Sequence, residues 1–146
     1  MKRFATAVWK GTGLEGNGTI STQSEVLNEQ PYSLHTRFKD ESGKSGTNPE
    51  ELLASSHAAC FNMALSFMLN GEGYTADSLT TKAVVDMDTS GKDFRITQIT
   101  LKLEGKVNGI STEDFNRLAE NAKKNCLISA ALSAVPISLE SKLVAD

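Results

Sequence analysis

Gly46-Thr47-Asn48-Pro49-Glu50-Glu51-Leu52-Leu53-Ala54-Ser55-Ser56-His57-Ala58-Ala59-Cys60-Phe61-Asn62-Met63-Ala64-Leu65-Ser66 is the stretch whose reading decides the fold. It opens as a helix start. Asn48 can cap, Pro49 suits the first helical position, and Glu50 and Glu51 favour the positive end of the helix dipole. No proline or glycine follows until Gly71, which allows a helix of about 21 residues, roughly 30 Å long. From Ala58 to Leu69 the only polar residues are Cys60, Asn62 and Ser66. A helix apolar on nearly all sides is a buried helix, and this one has a cysteine in its middle.

Working upstream, 39–48 is polar and glycine-containing, which predicts an exposed, mobile loop. Residues 33–38 read as a strand, on which His35 and Arg37 would share one face. Residues 26–32 look irregular, and 3–10 alternate like a strand carrying Phe4, Val8 and Trp9. Gly11-Thr12-Gly13-Leu14-Glu15-Gly16 matches the dinucleotide fingerprint in letters. That motif needs a helix after it, and here Gly18-Thr19-Ile20-Ser21-Thr22 reads as another strand. The stretch is therefore expected to be a hairpin turn.

Downstream, 79–88 and 94–107 alternate like two long strands around the turn chemistry of Thr89-Ser90-Gly91-Lys92-Asp93. Ile99, Leu101 and Leu103 mark a buried face. Ser111 or Thr112 can cap a second helix with Phe115, Leu118, Ala119 and Ala122 at helical spacing and Lys123 and Lys124 at its negative end. Cys126 follows. Residues 127–133 read as a short helix that Pro136 ends, and 137–143 as a last strand. The expectation is one α+β domain over 1–146, with antiparallel sheets packed on a long buried central helix.

The 146 residues suffice for one core, and the net charge is −3 with scattered Lys and Arg. That excludes a basic nucleic-acid patch and an anionic-membrane footprint. The N-terminus lacks an apolar signal core, and Ser55, Ser56 and His57 make the central helix too polar for a membrane span. The chain reads as soluble and cytoplasmic. Two cysteines in that compartment are inert core residues, metal ligands or redox groups rather than a permanent staple.

Leu53, Ser56, His57, Ala64 and Phe67 share the Cys60 face of the helix. A buried, inert cysteine is the ordinary reading. Cys126, at a helix start beside Lys123 and Lys124, has surroundings that stabilise a thiolate, and the two cysteines could meet as a reversible disulfide. His57, Cys60, Cys126 and His35 are the four soft ligands, but their spacing matches no zinc signature, so neither metal nor cofactor is expected. His57 is read as a hydrogen-bonded core or near-site residue. No G-x-S-x-G or C-x-x-C supports serine hydrolysis or thioredoxin-type exchange.

At these residues the chain resembles the OsmC family of osmotically inducible peroxidases, within a superfamily that includes the organic hydroperoxide resistance proteins. Gly46-Thr47-Asn48-Pro49-Glu50-Glu51-Leu52 running into His57-Ala58-Ala59-Cys60-Phe61 carries the likeness. Trp9, residues 18–22, Leu27-Asn28, Gln30-Pro31-Tyr32 and Thr36-Arg37-Phe38 extend it. It covers nearly the whole chain and is strongest over 17–69. The arginine of Thr36-Arg37-Phe38 points to the OsmC branch. The resemblance implies a thiol-dependent peroxidase that reduces organic hydroperoxides, and hydrogen peroxide more weakly. In it Cys60 matches the peroxidatic cysteine, Cys126 the resolving one, and Arg37 and Glu50 the polar pair that serves the thiolate. It also implies an external dithiol reductant and an intertwined homodimer. The family usually places proline after the second cysteine, where this chain has Leu127. A non-enzymatic stress-response binding protein on the same fold is the alternative, and the presence of both cysteines favours the enzyme.

Helix geometry adds one expectation independent of the family. Glu50 and Cys60 lie about 15 Å apart along the axis and point about 80° apart. Glu50 also leans toward the helix start, away from Cys60. If both serve one site, a second chain supplies Glu50.

Overall fold

The computed structural model describes residues 1–144. They divide into two compact units within the central helix, one of Met1–Leu52 and one from Leu53 onward.

In the N-terminal unit, β1 (Ala5–Lys10) and β2 (Asn17–Thr22) form an antiparallel hairpin, paired from Ala5↔Thr22 to Lys10↔Asn17. Residues 11–16 are its turn, as expected. A Cβ on Gly16 would lie 2.3 Å from the Thr12 carbonyl oxygen, so glycine serves tight reversal here and not a phosphate. β3 (Gln30–Ser33) adds antiparallel to β2 at the sheet edge, where Pro31 is tolerated.

The strand expected at 33–38 is a helix instead. α1 (Leu34–Phe38) starts from a capping box at Ser33. The Ser33 hydroxyl accepts from the Thr36 N–H at 3.2 Å, and the Thr36 hydroxyl accepts from the Ser33 N–H at 2.8 Å. Those two bonds satisfy backbone donors that an extended chain would have to pair elsewhere. His35 and Arg37, two residues apart on a helix, consequently do not share a face. Residues 39–48 are largely exposed and braced by one carboxylate. Asp40 accepts from the backbone N–H groups of Ser42, Lys44 and Ser45 and from the hydroxyls of Ser42 and Ser45. The two hydroxyl bonds, Ser42 first, hold its pKa far below the usual carboxylate range.

α2 (Pro49–Gly71) is the central helix, 23 residues long. The Asn48 side chain accepts from the Glu51 N–H at 2.8 Å, the cap read from the sequence. Its length and composition are those of a helix able to cross a membrane, yet one stripe of it is core. His57, Phe61, Leu65 and Leu69, spaced four apart, are wholly buried. Each of the three apolar ones contributes about 1.5–3 kcal/mol. The opposite face is uncovered in the single chain, with Met63 63 % and Phe67 74 % exposed. The helix is therefore buried along a stripe and not all round.

In the C-terminal unit, β4 (Ala76–Asp88) and β5 (Arg95–Val107) pair antiparallel, and β6 (Ile137–Leu143) joins β5 in parallel. The second sheet is thus mixed, because the connection from β5 to β6 is a helical crossover and not a hairpin. That crossover holds α3 (Thr112–Asn125) and α4 (Leu127–Ala131). Leu101, Leu103, Phe115, Leu118, Ala119 and Ala122 complete the core with the α2 stripe. A Cβ on Gly105 would come within 2.3 Å of the Phe115 ring, so β5 carries glycine where α3 packs closest.

Candidate active site: a paired-thiol centre

Cys60 lies one turn after His57 on α2, half-buried against the core. Cys126 is the hinge residue between α3 and α4. Its N–H donates to the Ala122 carbonyl at 2.9 Å, and its carbonyl accepts from the Ala130 N–H at 3.0 Å. α3 thus ends and α4 begins on the same residue, which turns the Cys126 side chain into the core at 1 % exposure. The Cys60 thiol meets the Cys126 side chain there, with the backbone N–H groups of Ile128 and Leu127 also directed at its sulfur. Both cysteines are free thiols.

Burial pushes the Cys60 thiol above its ordinary pKa, and the hydrogen bond with Cys126 raises it further. The N–H groups of Ile128 and Leu127 oppose that shift, because they stabilise the thiolate. Burial and Cys126 favour the thiol form, and the two amides oppose it. Lys123 is held by Glu120 at 2.8 Å.

Arg37 and Glu50 meet within the N-terminal unit. Nε donates to both carboxylate oxygens at 3.2 and 3.1 Å, and Nη2 to Oε1 at 2.5 Å. Glu50 is buried and Arg37 partly exposed. The pair is two-pronged and charge-assisted, which fixes the plane of the guanidinium. α1 brings Arg37 to the start of α2, and the guanidinium lies 4.8 Å from the Phe38 ring centre. A cavity of about 140 Å³ adjoins it, with Trp9, Tyr32, Phe38 and Pro49 in its walls.

The four residues named from sequence thus fall into two touching pairs, Cys60 with Cys126 and Arg37 with Glu50. The histidine reading also holds. His57 is wholly buried, and its Nε2 is 2.8 Å from the Ser129 hydroxyl. Burial lowers its pKa, which favours the neutral ring. Ser129 belongs to no motif in the sequence. The one trace of it in the sequence is matched spacing: His57 precedes Cys60 by three residues, and Ser129 follows Cys126 by three.

Two free thiols in contact are the arrangement that a reversible disulfide requires. Residues 41–140 match the family model described as OsmC-like protein. The chain is 47 % identical to the peroxiredoxin OsmC of Escherichia coli (strain K12) over 137 residues, 94 % of this chain and 93 % of that one. The structure of the organic hydroperoxide resistance protein OhrB of Bacillus subtilis superimposes with a TM-score of 0.70 at 26 % identity, covering 95 % of this chain and 98 % of that one. An OsmC-like protein from Mycoplasma pneumoniae gives a TM-score of 0.77 at 19 % identity over 99 % of both chains. The chain belongs to the OsmC family.

Proposed function

We propose that Cys60 attacks the peroxide and that Cys126 resolves the product. The chain is a thiol-dependent peroxidase of the OsmC type. The observation that carries the assignment of roles is the contact between the two free thiols, one half-buried and one buried.

The Cys60 thiolate attacks the outer oxygen of a hydroperoxide. The O–O bond breaks, alcohol leaves after taking a proton, and Cys60 becomes a sulfenic acid. The Cys126 sulfur then displaces that hydroxyl, which leaves as water, and a Cys60–Cys126 disulfide forms. An external dithiol restores both thiols by exchange and is itself oxidised. The cycle uses no metal or cofactor. A centre regenerated by dithiols suits a reducing, cytoplasmic compartment.

Arg37 supplies the cation that stabilises the Cys60 thiolate, and Glu50 holds its guanidinium in plane. Helix rise alone separates positions 50 and 60 by about 15 Å along the axis. The partner for each Cys60 is therefore the Arg37–Glu50 pair of a second chain in a homodimer. The uncovered Met63 and Phe67 face of α2 and the adjoining groove of about 500 Å³, which Leu79 also lines, are the apolar surface that such a dimer would bury.

Two experiments test this. Cys60→Ser should abolish peroxide consumption without unfolding the chain, and full activity there would refute the role of Cys60. Subunits carrying Cys60→Ser are then refolded together with subunits carrying Glu50→Ala. A heterodimer with composite sites has one site with both lesions and one with neither, so activity absent from both parents should return. No recovery, with heterodimers seen by native mass spectrometry, would mean that each chain builds its own site.

A further inference from the structure

We infer that the buried His57–Ser129 hydrogen bond is a positioning clasp that holds Cys126 within reach of oxidised Cys60. In this role it sets how the sulfenic acid divides between disulfide and over-oxidation. The inference rests on the proposed roles of the two cysteines.

Two side-chain bridges link α2 to the segment around α4. Cys60 meets Cys126, and His57 meets Ser129 at 2.8 Å. On α2 the step from Cys60 to His57 runs back one turn. On α4 the step from Cys126 to Ser129 runs forward one turn. The two helices are therefore bridged antiparallel, with one rung of thiols and one of imidazole and hydroxyl.

Among the described residues, the other polar ties of α4 to α2 are the Leu127 and Ile128 amides directed at the Cys60 sulfur. α4 is five residues long, its cap Cys126 makes no side-chain capping bond, and Leu127 is 80 % exposed. Ile128 supplies an apolar contact with the core. An apolar contact is not directional, whereas the His57–Ser129 bond fixes rotation and register. It is also dry at both ends, since His57 is wholly buried and Ser129 nearly so. Nδ1 of His57 has no hydrogen-bond partner among the described residues. The tautomer with its proton on Nε2 leaves no buried N–H unpaired, so Nε2–H donates to the Ser129 oxygen.

A disulfide needs Cα atoms about 4.4–6.8 Å apart with side chains facing each other. Sulfenic acid at Cys60 has two fates. Attack by the Cys126 sulfur yields the disulfide and water. Attack by the sulfenate on a second hydroperoxide yields a sulfinate and alcohol, which is irreversible here. The clasp acts on the first fate alone. Its hydrogen bond runs between His57 and Ser129 and not to the Cys60 sulfur.

The test titrates the reduced, full-length protein with cumene hydroperoxide and measures by mass spectrometry the Cys60–Cys126 cross-link and the Cys60 sulfinic acid. Ser129→Ala removes the hydroxyl, and Ser129→Thr keeps it. The double variant His57→Leu with Ser129→Ala removes both polar groups, so no buried donor is orphaned if the single change unfolds the chain. Stopped-flow measurement follows the first oxidation of Cys60.

The sulfinic-to-disulfide ratio should rise about tenfold in Ser129→Ala and in the double variant, the size of one buried hydrogen bond. Ser129→Thr should recover the wild-type ratio, and the rate of the first oxidation should hold in all three. A purely structural role would lower both rates together and leave the ratio unmoved. Wild-type protein that never forms the cross-link refutes the proposed cysteine roles. Wild-type protein that forms it, while the folded double variant keeps the wild-type ratio, refutes the clasp alone.

Discussion

Leu127→Pro separates what the backbone contributes at the Cys60 sulfur from everything else. Proline has no N–H, so the change deletes one of the two amides directed at that sulfur and leaves the Ile128 amide in place. The backbone accepts it. Leu127 is the first residue of α4, where proline is favoured. Cys126 before it has φ −62° and ψ 127°, the extended conformation that a residue preceding proline requires. The Leu127 side chain is 80 % exposed, so its loss opens no cavity. Folding stability should hold or rise by about 0.4–1 kcal/mol, from a more restricted unfolded chain. A hydrogen bond to a charged group is worth about 1.5–3 kcal/mol. The Ile128 amide stays in place, so the lower end applies, and it corresponds to about tenfold in thiolate population. The Cys60 pKa should move further up. At a pH below it, attack on peroxide should slow about tenfold, and the loss should vanish once pH exceeds the pKa of the variant. The assay is the alkylation rate of Cys60 by iodoacetamide from pH 6 to 10, in a Cys126→Ala background, with and without Leu127→Pro. An unchanged or lower pKa in a folded variant would refute the role given to the Leu127 amide.

Cys126→Ser should accumulate sulfenic and then sulfinic acid at Cys60, read by mass spectrometry after peroxide. Wild type that also stops at sulfinic acid would remove Cys126 from the cycle. Organic hydroperoxides should outcompete hydrogen peroxide, because burying an alkyl group against an apolar site is worth about 0.8 kcal/mol per methylene. The check is kcat/KM for cumene and tert-butyl hydroperoxide against hydrogen peroxide, and an equal or reversed preference would mean a polar, open site. Gly105→Ala should destabilise the chain by about 1–3 kcal/mol in urea, since the Phe115 ring occupies the space of the new Cβ.

What the sequence discloses here is local, and what it conceals is tertiary. Asn48, Pro49 and the two glutamates announce α2 by capping and dipole chemistry, and they do so without any contact to another element. Phe115, Leu118, Ala119 and Ala122 announce α3 by period, and all four are buried. α1 escapes because Leu34, Thr36 and Phe38 alternate with polar residues, which is the strand pattern. Its decisive feature is the reciprocal bond of Ser33 with Thr36, and threonine is a less familiar third residue of a capping box than Glu or Gln. The parallel placement of β6 follows from the path of a 29-residue connection between Val107 and Ile137, which no local pattern reports. The residues alone allow the two cysteines to be a pair, and only the family likeness gives one the peroxidatic and the other the resolving role. Ser129 could not be named at all, because its importance lies in a bond spanning 72 residues.

The most direct measurement is an anaerobic titration of reduced wild-type protein with a single equivalent of cumene hydroperoxide, followed by peptide mapping under non-reducing conditions. The account predicts one product, a peptide pair cross-linked through Cys60 and Cys126, with both thiols returned by dithiothreitol. Consumption of the peroxide with both cysteines still alkylatable, or with Cys60 oxidised and Cys126 untouched, would contradict it.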